Sequence, residues 1–248
     1  MSNLTGKKAL VTGGNSGIGY ATAKELKAQG AEVIITGRRK DAVDKAAAEL
    51  GVIGLVADQS QITAIEGLAS DVESIFNKID ILFINAGVVE QSSIAEATEK
   101  SFDTIFGINF KGAYFTLSKF IPLMNDGSSV VFLSSNTAHM DGAKSSIYTS
   151  SKSALNSVMR IAAVELAPRQ IRVNSVSPGP IATEIMNKMG LNEEQLNGIN
   201  QWLISRSPLG KIGKSEDVAK MVAFFCGDAA TYITGAEIVM DGGMSLKA

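Results

Sequence analysis

The chain has 248 residues, 45% of them hydrophobic and 19% charged, with a formal net charge of −2. That length can bury a real core in one α/β domain or two smaller ones, and the balance argues against disorder. The lack of basic excess argues against nucleic acid or an anionic membrane as main partner, and a single cysteine with a single histidine argues against a disulfide or a zinc site.

Short apolar, β-branched runs alternate with helical patterns from end to end. The first run, at 7–13, ends in the glycines Gly13, Gly17 and Gly19 just where a helical stretch opens. Gly13 would allow a sharp turn, Gly17 would let a diphosphate approach backbone N–H groups at a helix N-terminus, and Gly19 would let that helix lie close on the sheet. Asn15 and Ser16 add side-chain donors, and Ile18 shares the turn. The bland alternative is a plain glycine-rich turn.

The second run, at 31–37, ends at Gly37, where an NAD site would want a carboxylate for the ribose hydroxyls. Arg38 and Arg39 follow instead, and a guanidinium fork suits a 2′-phosphate, so the expected cofactor is NADP(H) with NAD(H) the alternative. Asp41 nearby complicates that preference, and two arginines could simply solvate a helix start. The third run, at 52–58, ends in Asp58, placed to accept from an adenine amino group or to make an ordinary turn.

Ile65, Leu68, Val72, Ile75, Phe76 and Ile79 form one stripe on a predicted helix over 61–78. The fourth run, at 79–87, ends in Asn85-Ala86-Gly87, a small-residue floor beside the adenosine ribose. The stretch 110–124 is apolar nearly all round, as for a helix buried between a sheet and a second subunit.

The fifth run, at 128–135, supplies Ser134 and Ser135, and the next helical pattern carries Tyr148 and Lys152 on one face. Leu155, Met159, Ala162 and Leu166 continue that stripe toward the core. The sixth run, at 171–179, ends in Pro178-Gly179, a rigid turn. The segment 183–214, polar and Asn-rich with Met186, Met189 and Trp202, breaks the rhythm and suits a lid; a last run follows at 236–243. Cys226, inside an apolar stretch, reads as a small buried hydrophobe. Such alternation predicts a single α/β domain over 1–248, a doubly wound parallel sheet of Rossmann type with helices on both faces, which binds ligands beyond the carboxyl ends of its strands.

Taken in order, these motifs resemble the short-chain dehydrogenase/reductase family over essentially the whole chain. T-G-x-x-x-G-I-G stands at 12–19, N-A-G at 85–87, an asparagine at 109, a serine at 135 thirteen residues before Y-x-x-x-K at 148–152, and P-G at 178–179. The resemblance implies a catalytic set of Asn109, Ser135, Tyr148 and Lys152. It implies that Ile181 and Thr183 touch the nicotinamide, and that Tyr148 and Lys152 also contact the cofactor. It further implies a homo-oligomer, a tetramer or else a dimer, built partly through the last strand.

The residue types suit carbonyl reduction, in which charge builds on an oxygen that must receive a proton. Lowering a tyrosine from a pKa of about 10 to about 7 needs roughly 4 kcal/mol. One ammonium at about 4 Å supplies about that much at an effective dielectric of about 20. Desolvation opposes it, so Lys152 would need help from the positive oxidised nicotinamide. Ser135 would orient the substrate oxygen, and Asn109 would fix a water that links Lys152 to solvent.

The expected substrate is a small or medium carbonyl or alcohol, with a β-ketoacyl carrier protein reductase as the enzymatic alternative. Asn125 and Asp126, read as part of a loop, stand where that alternative needs positive charge. A catalytically silent NADP(H)-binding regulator is the alternative of another class. His139, four residues beyond Ser135, could line the substrate mouth. No apolar run approaches a membrane span, and the start lacks a signal-type core, so the expected location is cytoplasmic.

Overall fold

Ala9 and Val11 pack into one apolar layer while Leu10 between them packs into another, which is why the first run shows no alternation in sequence. The computed structural model describes residues 3–140, 142–182 and 193–246. Its strands are β1 (Lys8–Val11), β2 (Glu32–Gly37), β3 (Ile53–Val56), β4 (Ile79–Ile84), β5 (Met124–Leu133), β6 (Arg172–Pro178), β7 (Ile181–Ala182), β8 (Gly213–Lys214) and β9 (Glu237–Met240). Seven pair in parallel in the order β3-β2-β1-β4-β5-β6-β9, and β7 with β8 forms a separate short ladder.

The helices are α1 (Gly17–Ala28), α2 (Lys40–Leu50), α3 (Ile62–Phe76), α4 (Glu99–Phe106), α5 (Ala113–Phe120), α6 (Ser146–Glu165), α7 (Glu193–Arg206) and α8 (Ser215–Cys226). Val72 and Phe76 of α3, Leu117 and Phe120 of α5, and Leu155 and Met159 of α6 cover one face of the sheet. Leu26 of α1, Ala46 of α2, and Val222 and Phe225 of α8 cover the other. Fully burying Phe83, Phe120, Phe132 and Phe225 contributes roughly 2–3 kcal/mol each. This is the doubly wound, Rossmann-like α/β class.

The chain steps outward from β1 to β2 and β3, then returns to place β4 on the other side of β1. That reversal splays the connections leaving β1 and β4 and opens a crevice at their carboxyl ends.

Two local readings need correction. The predicted helix over 61–78 ends at Phe76, because Ile79 already begins β4, and Ile75 is 43% exposed rather than part of the stripe. Asn125 and Asp126 belong to β5, not to a loop. There the ladder with β4 shifts register, and the Asp126 carboxylate pairs with Arg169 at 2.8 Å. The stretch 110–124 begins in a π-helical turn, and Tyr114 on α5 is 46% exposed on the face turned away from the sheet core.

Candidate active site

At the crevice, Thr12 joins the ends of β1 and β4. Its hydroxyl accepts from the amides of Asn85 at 2.9 Å and Ala86 at 3.1 Å, and donates to the Phe83 carbonyl at 3.4 Å. The Asn85 side chain donates back to the carbonyls of Thr12 at 2.8 Å and Gly13 at 3.1 Å. Gly13 has φ +64°, and a Cβ there would stand 3.0 Å from the Ala86 Cα, so both conformation and space call for glycine. Gly17 also lies in the left-handed region, with φ +54°.

Gly19 is close-packed for a different reason from the expected one. A Cβ on it would run into the Gly13 carbonyl and stand 2.6 Å from the Asn85 amide nitrogen. The helix thus closes on its own preceding loop, not on the sheet. Ser16 is the N-cap of α1 but makes no side-chain capping bond, so its hydroxyl does not satisfy the first-turn amides. The sequence places Thr12 in the 12–19 motif but gives neither it nor Gly14 a role; a Cβ on Gly14 would stand 2.7 Å from Ile35.

Asn15 leans over the end of β2, where any side chain on Gly37 would strike its Oδ1. Arg38 and Arg39 follow, both exposed, and among the described residues neither side chain makes a hydrogen bond or ion pair. Asp41 lies in the first turn of α2. Asp58 makes a turn: its Oδ1 accepts from the Ser60 amide at 2.9 Å and hydroxyl at 2.8 Å.

Deeper in the crevice, Gly87 meets the helical side chains. A Cβ on it would be 3.2 Å from Asn109 Oδ1 and 3.6 Å from Lys152 Nζ. Asn109 is buried in the π-helical turn Gly107–Gly112 between α4 and α5, an irregularity of the kind that re-aims a side chain. Its Oδ1 accepts from the Val88 amide at 2.8 Å, and its Nδ2 donates to the Val88 carbonyl at 2.9 Å and the Ser151 hydroxyl at 3.3 Å. Ser151, absent from the sequence reading, in turn donates to the Tyr148 carbonyl at 2.6 Å.

Tyr148 and Lys152 lie one turn apart on α6. The Lys152 ammonium donates to the Leu133 carbonyl at 2.8 Å and stands 5.8 Å from the Tyr148 ring centre. Ser134 and Ser135 diverge: the Ser134 hydroxyl donates to the Lys152 carbonyl at 3.4 Å. Ser135 caps a 3-10 turn, Asn136–His139, and its hydroxyl faces the Tyr148 phenol.

Burial pushes the Tyr148 phenol above its ordinary pKa, with Ser135 pulling the other way. Burial also pushes Lys152 down to about 8. The protein's own groups therefore leave the phenol protonated at neutral pH, since desolvation outweighs the Ser135 hydrogen bond.

Gly179 follows Pro178 so closely under the chain leaving β9 that its Cβ would stand 2.6 Å from that of Asp241. Next to it, Ile181 lines a cavity of about 220 Å³ together with Pro180, Leu203 and Met240. Trp202 on α7 is 61% exposed and is not among the residues around that cavity. Thr183, Met186 and Met189, and with them the first part of the 183–214 segment, lie outside the described residues. His139 points to the sheet edge, where its Nε2 lies 2.7 Å from Glu237 Oε1. Cys226 is buried, and burial pushes its thiol up to about 12. Among the described residues no group of three or more His, Cys, Asp or Glu could hold a metal ion, and no helix is long and apolar enough to cross a membrane.

A family model described as enoyl-(acyl carrier protein) reductase matches residues 13–245. A short-chain dehydrogenase/reductase from Serratia marcescens superposes with a TM-score of 0.91 at 32% identity, covering 98% of this chain and 99% of that one. This chain belongs to the short-chain dehydrogenase/reductase family. It is an NAD(P)-dependent dehydrogenase/reductase enzyme. L-rhamnose 1-dehydrogenase (NAD(P)(+)) from Azotobacter vinelandii is 33% identical over 255 residues, 97% of this chain and 97% of that protein. A blue fluorescent protein from a metagenomic library, solved in complex with NADPH, superposes with a TM-score of 0.89 at 30% identity, covering 98% and 99% of the two chains.

Proposed function

We propose that this short-chain dehydrogenase/reductase is an NADP(H)-dependent oxidoreductase of small or medium carbonyls and alcohols. The observation that carries the reading is the meeting of Asn109, Lys152 and Gly87 within a few ångströms, one helical turn from Tyr148 and facing Ser135. The crevice fits a dinucleotide: Gly13 and Gly17, both in the left-handed region, turn the chain into α1, and the first turn of α1, without a side-chain cap, presents N–H groups to a diphosphate.

Gly13 to Gly19 would hold the diphosphate, and Arg38 and Arg39 the 2′-phosphate. Asp58, through Oδ2, would hold the adenine; Asn85, Ala86 and Gly87 would floor the adenosine ribose, and Lys152 would hold the nicotinamide ribose. Pro178, Gly179, Ile181 and Thr183 would border the ring. Both guanidinium groups lie open at the end of β2, which supports NADP(H); the NADPH complex of a relative agrees, and NAD(H) is the weaker option.

When bound, the nicotinamide supplies or accepts the hydride. Tyr148 gives the carbonyl oxygen its proton, Ser135 orients that oxygen, and Lys152 stabilises the phenolate left behind. Asn109 holds Val88 and a water on the proton path to solvent.

The whole chain acts as one domain with 183–214 as its lid, in the cytoplasm. Apolar residues left open at the edge strand β9, Ile238 at 37% and Val239 at 38% exposure, support assembly into a homotetramer, or else a dimer.

The test is oxidation of NADPH and of NADH against a panel of ketones, aldehydes and β-keto esters, with Tyr148→Phe alongside. Turnover with NADPH should exceed that with NADH by about tenfold, and Tyr148→Phe should bind NADPH yet lose about 100-fold in turnover. A panel with no substrate, or a Tyr148→Phe enzyme near wild-type rate, overturns the reading.

A further inference from the structure

Glu237 opens the edge strand β9, yet its side chain is only 14% exposed. One carboxylate oxygen, Oε1, gathers three donors: Asn156 Nδ2 at 2.7 Å, His139 Nε2 at 2.7 Å and the Ser177 hydroxyl at short range. A carboxylate is the side chain suited to this, since it accepts several bonds with no donor to misplace.

The three donors come from the three segments that bear the reactive groups. His139 closes the short turn that Ser135 opens. Asn156 continues the α6 face of Tyr148 and Lys152 one turn further, and it is buried, with an Oδ1 that has no partner among the described residues. Ser177, fully buried, directly precedes Pro178 and Gly179.

We propose that Glu237 is a positioning residue for the reaction. It ties the Ser135 turn, the Tyr148–Lys152 helix and the end of β6 into one unit. Without it, two buried donors lose their acceptor, and each segment is free to shift relative to the others. Asn136 is tied separately to Asp241 at 3.3 Å, so the turn stays attached to the sheet edge when Glu237 is removed. Misplacement of reacting groups by a fraction of an ångström is enough to slow catalysis.

The inference rests on the Tyr148–Lys152 chemistry proposed above, and its test has an arm that needs no turnover. Hydrogen–deuterium exchange of the full-length protein is compared for wild type, Glu237→Ala and Glu237→Gln. Exchange should quicken in Glu237→Ala at the turn after Ser135, around Asn156 and around Ser177, and stay near wild type in Glu237→Gln, which keeps the accepting oxygen.

With NADPH and the best carbonyl of the panel, Glu237→Ala should lose about tenfold in kcat while KM for NADPH stays within about twofold. Added to Tyr148→Phe, it should cost nothing further, because positioning a missing hydroxyl has no effect. Should Glu237→Ala not fold, Asn156→Ala replaces it, with faster exchange expected along α6 and a similar loss of kcat. Unchanged exchange in all three segments, or a loss of rate carried undiminished into the Tyr148→Phe background, overturns the proposal. A protein that reduces no carbonyl sinks the functional reading alone and leaves the exchange arm to decide this one.

Discussion

The ammonium of Lys152 is held by the carbonyl of Leu133 at 2.8 Å, and its centre lies 5.8 Å from the middle of the Tyr148 ring. A cation is thus sealed beneath a phenol at the end of β5, with one backbone oxygen in hydrogen-bond contact.

That burial costs stability. Lys152 sits at about 8 instead of its ordinary 10.5, which corresponds to about 3 kcal/mol of disfavoured charge at neutral pH. Below pH 8 both folded and unfolded chains carry the proton and the cost stands in full. Between 8 and 10.5 the unfolded chain holds a proton the folded one has released, so stability rises with pH. Lys152→Met should therefore raise the Tm at pH 7 by several degrees while abolishing turnover, and the gain should shrink toward pH 10. Thermal melts across that range check it.

The Thr12 hydroxyl receives the backbone amides of Asn85 and Ala86. Thr12→Val should leave both without an acceptor and cost roughly 2–4 kcal/mol in urea denaturation. Thr12→Ser, which keeps the hydroxyl, should stay within about 1 kcal/mol of wild type.

At Gly19 a single methyl group collides with the Gly13 carbonyl, and backbone cannot swing aside as a side chain would. Gly19→Ala should destabilise the fold by about 1–3 kcal/mol and weaken NADPH binding, measured by melting with and without the cofactor.

On the proposed NADP(H) reading, Arg38 and Arg39 discriminate between the two cofactors. The Arg38→Ala, Arg39→Ala double variant should raise KM for NADPH about tenfold, a loss of about 1.4 kcal/mol, and leave KM for NADH unchanged. Equal losses for both cofactors would assign the arginines to general anchoring.

Much of the architecture was legible in the chain itself. Unbroken apolar runs ending in glycine, asparagine or serine marked strands buried on both faces. The intervals from Gly13 to Gly19 and from Tyr148 to Lys152 marked turns and helix faces, because those spacings depend on local backbone geometry alone. Helix limits were less legible: Ile75 and Ile79 matched the α3 stripe by period, but tertiary packing decided which residues of that stretch were covered.

The sequence by itself determined the fold class, the family and which polar residues cluster at strand ends. Only the tertiary structure decided what each of them touches. Asn85 reaches back to Gly13, Asn109 grips Val88 through a π-helical turn, and Ser134 turns to the Lys152 carbonyl while Ser135 faces the phenol. It also decided that Glu237 and Asn156, 81 positions apart, share a hydrogen bond. Local pattern encodes backbone conformation, whereas contacts across the sheet depend on how separate elements stack, and no spacing within one element records that.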